Sequence, residues 1–211
     1  MAKVLGLREQ RVQFFYDTDF RVTGVVTTGA MLAAAEKILF AAATPGDLSL
    51  TNLPAPGQLT SDQTFLTFAV RHEVNFYNVN ASAGSSGTLA TVAEHIIWTL
   101  QSSTFQFKVS EKIEFEGPLT MTPAGGGPWG FVSDSTAPLI VNGEPASPSI
   151  YVMPLPVAIT KRQGIQMIEK KFTLQAPGAA AAVDIIAAIN AFPGGRLLRA
   201  YIDGYNTRDV L

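Results

Sequence analysis

Two histidines, seventeen carboxylates and one run of three glycines are the residues of this 211-residue chain from which a reaction could be built. Imidazole metal centres use His-x-His or His-Glu-x-x-His spacing, and neither occurs. His72 stands between Val70 and Val74 on the apolar parity of a strand-like run, which reads as a core or interface histidine with a satisfied hydrogen bond. His95 follows Glu94 in a helix candidate and reads as a surface residue. Glu111, Glu114 and Glu116 lie close together in sequence, but a glycosidase needs its carboxylate pair facing one cleft across roughly 5 to 9 Å. Lys108 and Lys112 share the wet parity with Glu114 and Glu116, so a solvated strand face of mixed charge explains them better. Gly125-Gly126-Gly127 runs into Pro128-Trp129 where a phosphate loop needs Lys, then Ser or Thr, then a helix, so it reads as a tight turn. A Gly-x-Ser-x-Gly elbow is missing, and with no cysteine there is no thiolate chemistry and no disulfide. Trp98, Trp129 and the thirteen phenylalanines could form a stacking platform for sugars or bases, with Trp129 and Tyr205 as its exposed candidates, but most phenylalanines sit at core parity, so core or interface packing is the better reading. No residue is assigned to catalysis, to a cofactor or to a metal, and the expectation is a protein that is not an enzyme.

Composition points the same way. Hydrophobic residues make up 47%, enough for a sizeable core, and charged residues only 15%, well below the usual quarter. So sparse a charge suits a surface covered in part by other copies of the chain. The fifteen Lys and Arg are scattered and the net charge is −2, so no specific nucleic-acid binding is expected. No run of about 18 uncharged apolar residues offers a membrane span, and the first ten residues hold no apolar signal core.

The positioning elements are strands. Thr104 to Glu116 (TFQFKVSEKIEFE) puts Phe105, Phe107, Val109, Ile113 and Phe115 on one parity and polar residues on the other, with a bend or bulge expected at Ser110-Glu111. Val12–Tyr16 and Phe20–Val26 read as two strands separated by a turn at Asp17-Thr18-Asp19. Within 31–43 the spacing of Leu32, Ala35, Ile38, Leu39 and Ala42 fits a helix and Lys37-Ile-Leu-Phe40 fits a strand equally well, with the strand favoured, and 44–62 reads as a long connection. A further strand over Thr64–Val79 has Leu66, Phe68, Val70, Val74 and Phe76 on one face and Arg71, Glu73 and Asn75 on the other. The spacing of Ala93, Ile96, Ile97 and Leu100 predicts a helix over 91–101, and 183–191 a second short helix. Pro154 and Pro156 make 150–160 an edge strand. Strands over 165–174 and 196–203 follow, with Gly204–Asp209 as a tail. The fold class expected is all-β: one jelly-roll sandwich or barrel of about eight strands with long Gly/Pro loops and one or two short helices, over residues 1–211, with an extended N-terminal segment over about 1–11.

Four passages in order carry a resemblance: Asn52-Leu-Pro-Ala-Pro-Gly-Gln-Leu59 with Thr64-Phe-Leu-Thr-Phe68; Phe105–Phe115 with Gly117-Pro118-Leu119 and Pro123-Ala-Gly-Gly-Gly127; Tyr151–Leu174; and the ending Arg199-Ala-Tyr-Ile-Asp-Gly-Tyr-Asn-Thr-Arg208. Together, over about three quarters of the chain, they resemble the capsid proteins of tailless icosahedral phages. The resemblance implies a single jelly-roll coat subunit that self-assembles into an icosahedral virion shell, is made in the host cytoplasm and has copies of itself as partners. Many such phages enclose a membrane under the shell, and a second coat or vertex protein is a further partner of the class. A chain of 211 residues has room for one jelly roll, which departs from the larger double-barrel coats and leaves major coat protein and vertex (penton) protein both open. The alternative is a jelly-roll carbohydrate-binding, lectin-like module. It would show clustered exposed aromatics or a calcium-type run of Asp and Asn, and Asn75, Asn78 and Asn80 are too loosely placed for that.

Overall fold

Strand alternation builds the molecule, and a few local faults in that alternation decide what faces where. The computed structural model describes residues 8–22, 36–41, 48, 50–59, 63–77, 96–97, 99–124, 129–131, 139–141, 150–161, 163–171 and 195–209. Its strands are β1 (Arg8–Val22), β2 (Glu36–Leu39), β3 (Gln63–Tyr77), β4 (Ser103–Val109), β5 (Lys112–Pro118), β6 (Trp129–Phe131), β7 (Leu139–Val141), β8 (Val152–Thr160), β9 (Ile165–Lys171) and β10 (Gly195–Asp209). Helix among the described residues is confined to 96–97 and 99–102 and to one 3-10 turn, Leu119–Met121. The protein is therefore all-β, as its patterning predicts.

Two four-stranded antiparallel sheets have the orders β1-β10-β3-β8 and β2-β9-β4-β5, and β6 with β7 forms a separate two-stranded ribbon. The pairings nest: β1 lies against β10, β2 against β9, β3 against β8, and β4 against β5. One apolar cluster lies between the sheets. Phe15, Phe65, Val70, Val74, Ile159, Leu198, Ala200 and Ile202 enter it from the first sheet, and Leu39, Phe105, Phe107, Val109, Ile165 and Met167 from the second. Ile96 of the helical residues and Leu119 of the 3-10 turn close it. Burying a large side chain of this kind is worth roughly 1.5–3 kcal/mol, so the shared cluster is what holds the two layers face to face.

Several local expectations are corrected. The turn at Asp17-Thr18-Asp19 is absent, because β1 runs unbroken through it and turns both carboxylates inward. Gly204–Asp209 is not a tail but the end of β10, paired with Arg8–Gln13. Residues 8–11 of the expected N-terminal extension thus run in β1 against 206–209. Leu66 and Phe68 do not share the face of Val70. Phe68 is the extra residue where the ladder slips between Thr67 and Ala69, so the buried set changes from Phe65 and Thr67 to Val70, His72 and Val74. Ile113 is 43% exposed for the same reason: a slip between Phe107 and Lys108 sets it opposite Lys108. Ser110-Glu111 is the turn of the β4–β5 hairpin, with Ser110 at φ 57°. Ile97 turns outward while Ile96 and Leu100 pack on the core. The proline-bearing β8 is an edge strand, as its sequence requires. The helix candidate at 183–191 lies outside the described residues.

Candidate functional site

The outer face of the first sheet gathers the side chains that can do something beyond filling a core. Alternation supplies them: Phe14, Tyr16 and Thr18 from β1, Arg199, Tyr201 and Asp203 from β10, Arg71 and Glu73 from β3. Register sorts them into rows across the sheet. Thr18, Arg199 and Glu73 form one row, and Tyr16, Tyr201 and Arg71 the next. Phe14 and Asp203 begin the third.

The rows are stitched together. Arg71 donates to Asp203 through Nε (2.6 Å to Oδ2) and Nη2 (2.8 Å to Oδ1). This two-pronged bond holds the guanidinium pKa above its ordinary value. The same guanidinium lies 4.7 Å from the centroid of the Tyr201 ring. The Tyr201 hydroxyl donates to Glu73 Oε2 at 2.7 Å, and burial together with that bond pushes its pKa up. Arg199 donates from Nε to Thr18 Oγ1 at 2.8 Å, sits 4.0 Å from Glu73 and stands over the Tyr16 ring. Tyr16 in turn donates its hydroxyl to the Leu48 carbonyl. Each charge in this network has its partner on the same face. The arrangement is a closed set of ion pairs, hydrogen bonds and cation–ring contacts within one sheet face.

Beyond the slip at Asp203/Gly204 the face turns apolar. Val12, Tyr205, Leu66 and Ala158 form one row across all four strands. Val12 is 77% exposed, Phe14 beside it 49%, and Leu155 on the far edge strand β8 81%. The two edges of one sheet thus both present apolar side chains to the outside.

The interior holds the remaining titratable groups. His72 is buried, with Nδ1 2.7 Å from Thr122 Oγ1 and its ring 4.6 Å from that of Phe105. Its backbone N–H donates to the Thr122 carbonyl and its own carbonyl accepts from Ala124, so the segment after the 3-10 turn runs along β3 there. Burial lowers the imidazole pKa from 6.5 to about 3, which keeps the ring neutral. This is a core histidine, as its parity implies, but only half satisfied: Nδ1 has its partner and the buried Nε2 has none among the described residues. Asp17 is buried beside the opposite edge. Its Oδ2 accepts the Phe40 N–H at 2.6 Å, and desolvation raises its pKa despite that bond. Asp19, also buried, lies 3.4 Å from Lys37 Nζ. These two contacts join β1 to β2 and to the bend that follows it, edge strand to edge strand across the two sheets.

The other residues that sequence reasoning weighed are not brought together. Lys112 pairs with Glu114 at 2.9 Å and Gln106 donates to Glu116 at 2.9 Å, but the slip after Phe107 sets Ile113 opposite Lys108 and Lys112 opposite Val109, so these charges do not share the single wet face their parity implies. His95, Trp98, Gly125–Gly127 and the side chain of Trp129 lie outside the described residues, and Tyr205 belongs to the apolar row. Among the described residues no cluster of His, Cys, Asp and Glu is placed to hold a metal ion, and no helix is long and apolar enough to cross a membrane. The arginine–tyrosine rows themselves were missed. Their signal was present in Arg199-x-Tyr201-x-Asp203, which alternates with Leu198, Ala200 and Ile202. Comparison with protein-family models, with curated proteins and with solved structures finds no match to this chain.

Proposed function

We propose that the chain is a jelly-roll capsid subunit that assembles with copies of itself into the shell of a tailless icosahedral phage. The observation that carries the fold half of this reading is the nesting of strand pairs. With the β6–β7 ribbon set aside, β1:β10, β2:β9, β3:β8 and β4:β5 are the rungs of one long antiparallel ribbon. Wrapping that ribbon around a core brings β10 against β3 and β9 against β4, and both contacts occur. These pairings support the jelly-roll reading, whose two sheets come from such a folded-over ribbon.

The functional half rests on the likeness in sequence and on the outer sheet face. A subunit in a closed shell must touch neighbours on more than one flank. Here Val12 and Phe14 on one edge strand and Val152 and Leu155 on the other are exposed. Between them the charges are already paired within the subunit: Arg71 with Asp203, Arg199 with Glu73. Covering these two pairs leaves neither arginine without its carboxylate, which avoids the penalty that makes buried charge costly at interfaces. The reading leaves major coat and vertex protein as two places in the same shell, with a second coat protein or an enclosed membrane as further neighbours.

Electron microscopy with light scattering on the purified protein tests this. Closed particles of uniform diameter are the expected result. A monomer at every concentration that binds members of a glycan array overturns it in favour of a carbohydrate-binding module.

A further inference from the structure

We infer that residues 51–53 are a built-in guard on the free edge of β1, with the Asn52 side chain standing in for the strand that a second copy of the chain would otherwise add there. An edge strand exposes the N–H and C=O of every second residue, and such a row is a template for another strand. In β1 that row falls on the even-numbered residues, since the backbone groups of Phe14 and Tyr16 point away from β10.

Asn52 meets them as a strand would. Its Oδ1 accepts the Tyr16 N–H at 2.8 Å and its Nδ2 donates to the Phe14 carbonyl at 2.8 Å. One primary amide thereby offers the acceptor and the donor, in the order a neighbouring backbone would offer them. The backbone N–H of Asn52 donates to the Tyr16 carbonyl at 3.3 Å, and Thr51 Oγ1 donates to the same oxygen at 2.9 Å. Thr51 Oγ1 also accepts the Leu53 N–H at 3.2 Å, and Leu53 is anchored in the core. The guard is thus held by its own packing and is not a floating loop.

The position guarded is the one that needs it. The other edge of the same sheet, β8, carries Pro154 and Pro156, which cannot donate to a ladder. β1 carries no proline over its fifteen residues and has Val12 and Phe14 exposed beside the edge, a pattern that a copy of the same strand would match. The excluded occupant is therefore an extended strand of a second copy, and the inference holds whether or not the protein forms shells.

The test compares the full chain with its Asn52→Ala variant. Hydrogen exchange at the Tyr16 amide should rise on the order of tenfold or more, because its acceptor is gone. A synthetic peptide of residues 8–17 should bind the variant and not the wild type. A far-ultraviolet spectrum that matches the wild type establishes that the variant is folded. Should it not fold, Asn52→Gln, which keeps the amide but moves it by one methylene, is put through the same two measurements. Unchanged exchange at Tyr16, or equal binding of the peptide to both proteins, overturns the inference.

Discussion

The ring of Phe65 occupies the space where a side chain on Gly204 would begin. A Cβ at position 204 would stand 2.5 Å from the Phe65 ring and 2.5 Å from the Leu66 carbonyl. No real Cβ makes such contacts, so glycine is required at the point where the β10 ladder slips against β3. Gly204→Ala should therefore destabilise the fold by about 1–3 kcal/mol, the usual cost of overpacking. Gly164→Ala is the control, since nothing lies within 4 Å of its Cβ, and it should change stability by less than about 0.5 kcal/mol. Urea denaturation midpoints of the two variants decide the matter. Equal midpoints would show that β10 can move away from β3 without loss.

Asp17 raises a different question, whether its charge or its hydrogen bond matters. Phe40 is buried at φ 69°, a conformation that costs a bulky residue energy, and its N–H ends on the Asp17 carboxylate. Desolvation opposes the charge. Asp17→Asn keeps an acceptor and removes the desolvation penalty, so its stability at neutral pH should lie within about 1 kcal/mol of wild type or above it. Asp17→Ala strands a buried N–H and should lose about 1–3 kcal/mol. If the two variants fall equally far, the charge is what holds β1 to the turn after β2.

The same two residues show why some of this was legible in the sequence and some was not. The hairpin Phe105–Phe115 announced itself because its side chains alternate along one local segment. The continuation of β1 through Asp17-Thr18-Asp19 did not, because the groups that satisfy those carboxylates, Lys37 of β2 and the Phe40 N–H just after it, come from a segment whose approach no local pattern reports. Parity arguments also assume a ladder without slips. The extra residue at Phe68 and the slip after Phe107 each invert the parity from one side of the slip to the other, so Leu66 does not share the face of Val70, nor Ile113 that of Phe107. The rows Thr18–Arg199–Glu73 and Tyr16–Tyr201–Arg71 depend on register between strands far apart in the chain, and register is a property of pairing.

His72 should make stability depend on pH in a calculable direction. Its folded pKa of about 3 lies below the ordinary 6.5, so the fold favours the neutral ring. Above pH 6.5 both folded and unfolded chains carry it neutral, and nothing is lost. As pH falls from 6.5 towards 3 the unfolded chain binds a proton that the folded chain refuses, and stability declines by up to about 1.4 kcal/mol per unit. Asp17 works the other way, because its raised pKa lets the folded chain take a proton before the unfolded one does. The His72 contribution is isolated by comparing wild type with His72→Gln from pH 7 to 4. The gap between them should narrow steadily below pH 6.5. A constant gap would mean that the ring is protonated, or reached by water, in the folded protein.

Leu155 and Val12 separate folding from assembly. Each projects from an edge strand of the same sheet, 81% and 77% exposed, and neither belongs to the core cluster. Leu155→Asp and Val12→Asp should each leave the thermal midpoint nearly unchanged, since substitution at such exposed positions usually costs within about 0.5 kcal/mol. In a subunit that uses both flanks, either charge would be placed against an apolar neighbour and would have to be desolvated on contact. Particles seen for the wild type by light scattering should therefore disappear in both variants, with the monomer still folded. A heterologous contact, in which the β8 flank of one copy meets the β1 flank of the next, adds a sharper outcome. A mixture of the two variants should then form pairs but no closed particles, because only one competent flank remains on each. Normal particles from both single variants would remove these flanks from the assembly altogether.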